Sequence, residues 1–350
     1  FFFTHSSPLR SMLFLVGLGL GAPDDITLKG LKAVQSSARV YLESYTAILP
    51  GHVADESSSS SSSVESVVTG SPSGLQALCD AYSIPANSIK LADREFVEQR
   101  SDEILENTED GSDDEVNVTL LVVGDPLCAT THVDLMLRAS ERGTKVSVVH
   151  NASIVNAVGT CGLSVYRYGE AVSIVFFTDT WQPDSFYDKI LANRQRHNSD
   201  ALHTLCLLDI QVKEYDPVAM SRGEFRRNPP RFMDVHRAAR QLLAVEKKRG
   251  QNAYGADTLA VGLARVGAND QAVAVGTLEE FARGSAQERA AAAARAASEE
   301  DDDLDEEERE RLELGRFDAG ELGPPLHSLV LCGTLTDVEQ QALERWRRVA

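Results

Sequence analysis

Long apolar runs, cysteine pairs and catalytic signature motifs are all missing from this chain. No stretch approaches the roughly 20 consecutive apolar residues that a membrane-spanning helix needs, so no membrane partner is expected. The five cysteines, Cys79, Cys128, Cys161, Cys206 and Cys332, are odd in number, far apart and never spaced CxxC. That pattern indicates neither a disulfide framework nor a zinc site; no metal is expected, and the thiols read as reduced in a cytoplasmic protein. There is no GxSxG elbow, P-loop, HExxH or recognisable triad, which removes the commonest hydrolase, NTPase and metalloprotease readings. Positive charge is scarce as well, with 34 Lys and Arg against 53 Asp and Glu and a net charge of −19. Glu299 to Glu310 alone carries ten acids against Arg309 and supplies −9 of this. The remainder is moderately acidic, which argues against nucleic acid as a partner.

What is present is an ordinary globular composition, 43% hydrophobic and 25% charged over 350 residues, a length that predicts two domains. Residues 1–11 are expected to be a disordered extension. Arg10 followed by the apolar Met12 to Leu20 has the length of a signal-peptide core, and Asn117 and Asn151 open formal glycosylation sequons. The smooth continuation of that segment into a βαβ pattern favours a strand instead. After MLFLVGLGLG, the acids Asp24 and Asp25, which suit a positive helix N-terminus, lead into a helical stripe, ITLKGLKAVQSS, and then a strand, ARVYLES. Alternating strands and helices from Met12 to His150 describe a doubly wound domain, residues 12–150. It includes a helix over REFVEQRSDEILENT, and residues 51–74 interrupt it as a flexible serine-rich insertion. Residues 151–350 form a second α/β domain with a mixed sheet, built from SVYRYG, AVSIVFFT, LHTLCLLDI, TLAVGLARVG, QAVAVGTL and HSLVLCG. Residues 283–322 read as an alanine-rich and acidic insertion within it.

Three loops carry the chemical interest. In the first, Gly17, Gly19 and Gly21 alternate, which suggests a loop needing φ > 0 or a close approach. A dinucleotide fingerprint would want G-x-G-x-x-G with an acid on the next strand. Glu43 is suitably placed, but Gly21 falls one position too early. The second, LLVVGDPLCATTHVD, breaks a buried strand at Gly124-Asp125-Pro126. Turn chemistry alone would explain it, yet loops at the carboxyl ends of parallel strands line ligand crevices. The third, VVHNASIVNAVGTCG, has a polar break at His150 to Ser153, and Ser153 could be a cofactor contact or only an N-cap. His132, His203 and His236 lie on regular elements and read as packing or capping groups, and Trp181, Phe186 and Tyr187 as packing.

These loops, with DDITLKGL, RVYLESYT, ADREFVEQ, VSIVFFTDTWQPDSFYDKI, PPRFMDVHRAARQLL and PLHSLVLCG, resemble the diphthine synthases, the methyltransferases of the diphthamide pathway. The resemblance runs in order through most of the chain, outside the extension and the two insertions. It implies the two-domain tetrapyrrole methylase-like fold, with the glycine loop helping to shape a cofactor cleft between the domains. It implies S-adenosyl-L-methionine as cofactor, bound at Leu20, Asp125, Cys128, Ser153, Ile154, Leu208, Val266 and His327. It also implies a homodimer whose substrate is translation elongation factor 2, methylated on a 3-amino-3-carboxypropyl-histidine. Methylation of a tetrapyrrole-type small molecule, or non-catalytic binding to elongation factor 2, are the alternatives. At Cys128 relatives commonly have glycine; a cysteine held at φ > 0 there would be strained and would weaken cofactor binding. Methyl transfer needs the nucleophile, carbon and departing sulfur held in line, with no dedicated base; His327 reads as a cofactor contact rather than as a base.

Overall fold

The computed structural model describes residues 11–45, 72–109, 116–178, 180–195, 200–212, 223, 228, 230–283 and 322–346. The expected extension apart from Ser11, residues 51–71 of the serine-rich insertion and residues 284–321 of the acidic one lie outside these. The chain divides into two compact units. The first comprises Phe1–Val155, Ile210–Pro230 and Gly267–Asn269; the second comprises Asn156–Asp209, Arg231–Val266 and Asp270–Ala350.

The first unit is built on five parallel strands: β1 (Met12–Gly17), β2 (Arg39–Glu43), β3 (Ile89–Ala92), β4 (Val118–Val122) and β5 (Lys145–Val149), in the order β3-β2-β4-β1-β5. Strand side chains alternate between faces, and here both faces are covered. Leu13, Leu15, Leu120 and Val122 pack with Ile104, Leu105 and Leu135 on one side. Val16, Leu18 and Leu121 pack with Val34, Leu78 and Tyr82 on the other. Double burial is why β1 and β4 read as nearly continuous apolar runs, and each fully buried Leu contributes about 1.5–3 kcal/mol. Because β1 lies between β4 and β5, with Leu15 opposite both Leu120 and Val148, the loops leaving these three strands at their carboxyl ends are neighbours.

Two local expectations need correction in this unit. Asp24 and Asp25 do not cap α1 (Leu28–Gln35); Thr27 does, its Oγ1 accepting from Gly30 N at 3.1 Å. Asp25 turns back instead, Oδ2 accepting from Gly21 N at 2.8 Å and Ala22 N at 3.3 Å, and so closes the glycine loop. The helix over REFVEQRSDEILENT is two, Arg94–Gln99 and Ser101–Leu105, because Arg100 leaves helical geometry at φ −116°, ψ 28°. Ile104 and Leu105 are then fully buried.

The second unit carries the mixed sheet that the sequence predicts: β6 (Val172–Ile174), β7 (Thr204–Leu208), β8 (Leu259–Ala264), β9 (Ala272–Thr277) and β10 (His327–Leu331), in the order β9-β8-β10-β7-β6. Only the β6–β7 pair is parallel. The helices Ser185–Arg194 and Val235–Arg249 bury Phe186, Tyr187, Ile190, Ala238 and Leu242 against this sheet. Asp234 caps the longer one through a 2.7 Å bond from Arg237 N, and Gly250 ends it at φ 62°. SVYRYG is not a strand. Val165–Arg167 makes a single 3₁₀ turn, since Val165 and Tyr166 are exposed, Tyr166 almost fully, and offer no face to bury. Phe186 and Tyr187 pack as expected, whereas Trp181 is 56% exposed, and so does not serve as a core anchor.

Candidate active site

The alternating glycines of the first loop each answer to a neighbouring loop. A Cβ on Gly17 would sit 2.6 Å from the Gly124 carbonyl oxygen and 2.8 Å from Asn151 Cβ. Gly19 holds φ +80° and pairs with Gly124 as an isolated antiparallel bridge. A Cβ on Gly21 would fall 2.3 Å from the Gly267 carbonyl oxygen. Backbone meets backbone here more closely than any side chain allows. Glu43, the acid a dinucleotide site would have used, is buried and accepts from Tyr45 N at 2.7 Å, so its carboxylate belongs to its own strand end.

Asp125 ties the second loop to the third. Oδ1 accepts from Leu127 N at 2.9 Å, and Oδ2 accepts from His150 Nδ1 at 2.8 Å and Asn151 N at 3.1 Å. Burial by itself would raise the pKa of this carboxyl. The Leu127 amide, His150 and the Asn151 amide outweigh it and hold the pKa below the ordinary value, so Asp125 is ionised. Asn151 then reaches the first loop: Nδ2 donates to Gly17 O at 2.9 Å and Asp25 O at 3.0 Å, while Oδ1 accepts from Ala152 N at 2.8 Å. The buried His132 braces the second loop from behind, Nδ1 donating to Pro126 O at 2.9 Å and Nε2 lying 3.4 Å from Tyr45 Oη.

Of the residues the resemblance singles out, Leu20, Asp125, Cys128, Ser153 and Ile154 lie in the first unit and Leu208, Val266 and His327 in the second. Within the first unit, a Cβ on Gly124 would stand 3.8 Å from Leu20 Cδ2 and 4.0 Å from Ser153 Cα, so the three loops converge. Ser153 is buried and its Oγ accepts from Val155 N at 3.0 Å at the start of the short helix Ile154–Ala157. The strain expected at Cys128 is not there: the left-handed residue of this loop besides Gly124 is Ala129, at φ 59°, and Cys128 N closes an ordinary turn onto Asp125 O at 3.3 Å.

Within the second unit, Leu208 ends β7, His327 begins β10 opposite Ala264, and Val266 lies just past β8, so all three fall at one end of three adjacent strands. Arg265, itself at φ 48°, holds the segment before His327 by donating to the carbonyls of Leu322 and Pro324. His327 Nε2 lies 2.9 Å from Gly323 O, and a carbonyl only accepts, so Nε2 carries the proton. Burial lowers the pKa of this imidazole and keeps it neutral. Its Nδ1 is buried without a partner among the described residues, a bare lone pair suited to an amino-group donor such as S-adenosyl-L-methionine carries at either end. The residues present thus fit that cofactor.

His132, His203 and His236 are packing and bonding groups as expected. All three are buried; His203 donates to Glu339 and accepts from Gly333 N, and His236 donates to Phe281 O. No cluster able to hold a metal occurs among the described residues, and none of their helices is long and apolar enough to cross a membrane. The sequence reading passed over Asn151, His150 and Asp25 as site-building residues. Their signal was position alone, polar groups placed directly after an apolar strand or a glycine run.

The profile of the tetrapyrrole (corrin/porphyrin) methylases matches residues 12–282. The chain belongs to this methylase family. Within it, the chain is 48% identical to the diphthine methyl ester synthase of Eremothecium gossypii over 92% of its own length and 85% of the relative's. It is 47% identical to the human diphthine methyl ester synthase over 77% and 84%. Among solved structures, a candidate diphthine synthase from Entamoeba histolytica superposes with TM-score 0.67 at 33% identity, covering 97% of this chain and all of that one. This methylase is accordingly of the diphthine synthase type, with the α/β fold its sequence predicted.

Proposed function

We propose that this methylase transfers methyl groups from S-adenosyl-L-methionine to the 3-amino-3-carboxypropyl-histidine of translation elongation factor 2, in diphthamide biosynthesis. The observation that carries this reading is the lock between the three loops, Asp125 to His150 and Asn151 and Asn151 to Gly17, in a chain nearly half identical to diphthine methyl ester synthases. When bound, the cofactor supplies a methyl group already activated by sulfonium. Leu20, Asp125, Cys128, Ser153, Ile154, Leu208, Val266 and His327 would hold it, and the lone pair on His327 Nδ1 would suit an amino group. The ionised Asp125 places negative charge among these loops, which favours a cationic ligand. Cofactor and acceptor are held in line and screened from water, and positioning supplies most of the rate.

The relatives' names specify a methyl ester, which supports the side-chain carboxylate as the last acceptor after the amine. The family resemblance also supports a homodimer acting in the cytoplasm. Ordinary geometry at Cys128 removes the one sequence feature that favoured a non-catalytic relative. Mass spectrometry of elongation factor 2 after incubation with the enzyme and cofactor tests the reading. Successive methyl increments on one modified histidine are expected. An unchanged mass with a substrate that a known diphthine methyl ester synthase does methylate refutes it.

A further inference from the structure

We propose that His150 is the general base of this enzyme, taking the proton that each methylation of an amine must release; the assignment rests on the proposed acceptor. Asp125 Oδ2 can only accept, so the 2.8 Å contact fixes the proton of a neutral His150 on Nδ1 and leaves the lone pair on Nε2. The side chain of His150 is 68% exposed and that of Asp125 only 7%. A buried carboxylate orienting an imidazole whose far nitrogen faces outward is the arrangement in which a base is held in one tautomer, and the imidazolium it forms is stabilised. Among the described residues, Asp125 is the charged group in contact with His150. Asp25, reached through Asn151, turns its carboxylate to Gly21 N and Ala22 N. His327 cannot do this work, since Nε2 is bonded to Gly323 O and Nδ1 is buried.

The two kinds of acceptor differ in what they ask of the protein. An ammonium nitrogen has no lone pair. His150 Nε2 removes one of its protons, the freed pair forms the new N–C bond to the methyl carbon, and the electrons of the breaking C–S bond stay on sulfur. The imidazolium then returns its proton to solvent from its exposed edge, ready for the next round. A carboxylate attacks with a pair it already has, and no proton leaves. The lone pair of His150 is therefore required for N-methylation and not for ester formation.

The test uses the full chain with His150→Ala, elongation factor 2 bearing the 3-amino-3-carboxypropyl-histidine, and a second substrate already trimethylated on nitrogen. N-methylation is expected to fall about 10²- to 10⁴-fold, the range for loss of a positioned base, and to recover at least tenfold with added imidazole. Because His150 also bonds Asp125, ester formation on the trimethylated substrate and calorimetric binding of S-adenosylhomocysteine report what the loss of that bond alone costs, and N-methylation should fall at least tenfold more than either. N-methylation within threefold of wild type overturns the proposal. So does a parallel loss of both methylations and of cofactor binding without imidazole rescue, which would make His150 only a brace for Asp125. A wild-type enzyme that methylates neither substrate refutes the proposed function, and the base with it.

Discussion

Replacing Asn151 by alanine should weaken the first unit and cofactor binding together. The substitution deletes three hydrogen bonds: to Gly17 O at 2.9 Å, to Asp25 O at 3.0 Å and from Ala152 N at 2.8 Å. A protein hydrogen bond contributes about 0.5–1.5 kcal/mol net, but the three are not equal. Those to Asp25 and Ala152 are exposed, so water replaces them at little loss, whereas the one to Gly17 is partly buried. The expected cost is therefore about 1–2 kcal/mol rather than three full bonds, or about 2–8 °C in the melting temperature of a unit of this size. The first loop would no longer be pinned to the third, and affinity for S-adenosylhomocysteine should fall at least about tenfold, 1.4 kcal/mol. Asn151→Asp separates bonding from bulk: its carboxylate would face the Gly17 and Asp25 carbonyls, so it should be no better than alanine. Scanning calorimetry and cofactor titration read both effects. Asn151→Ala melting within 1 °C of wild type with unchanged affinity would refute the idea that this side chain holds the loops.

Three further outcomes are expected. Cys128→Gly should lower stability by about 0.5–1 kcal/mol through the freer unfolded chain, while Ala129→Gly, at φ 59°, should be neutral or stabilising by up to about 1 kcal/mol; matched thermal melts compare the two, and the reverse order contradicts the loop geometry. His327→Phe keeps a ring but removes the Nδ1 lone pair and the bond to Gly323; cofactor affinity should drop about tenfold with kcat within a few-fold, and a kcat loss of several orders with binding intact would make His327 the base. Burial would raise the pKa of Glu339, but the amides of Thr336 and Ser164 and the His203 bond bring it down to about 2. A depressed carboxylate stabilises above its unfolded pKa and loses that contribution as pH falls through the folded one. On the order of 3 kcal/mol should therefore disappear between about pH 4.5 and pH 2 in wild type, and that acid limb should shrink in Glu339→Gln when melting is followed against pH.

The sequence by itself determined the strands of the first sheet. β1 and β4 are buried on both faces, so every position but Thr119 is apolar or glycine and the run is visible without knowing its neighbours. It also determined the loops to watch, because glycine alternation, Gly-Asp-Pro and the polar break after β5 each interrupt an apolar run. Local signals failed where a residue had more than one partner to choose from, or where the deciding partner was distant. Thr27, not the acids before it, caps α1, because Asp25 is drawn to Gly21 and Ala22 by the closing of the glycine loop. Val165 and Tyr166 are strand-like residues, yet no sheet face is available to bury them. Gly124 signals its own positive φ, but nothing in DPLCATT says which further residue takes it; the surrounding turn puts it on Ala129. Asp125, His150 and Asn151 are 25 and 26 positions apart in sequence, and only the order β4-β1-β5 makes them one hydrogen-bonded group. Residue chemistry and local periodicity are written in the chain, whereas adjacency across a parallel sheet depends on which strands pair, and that is settled only when both faces of the sheet are packed.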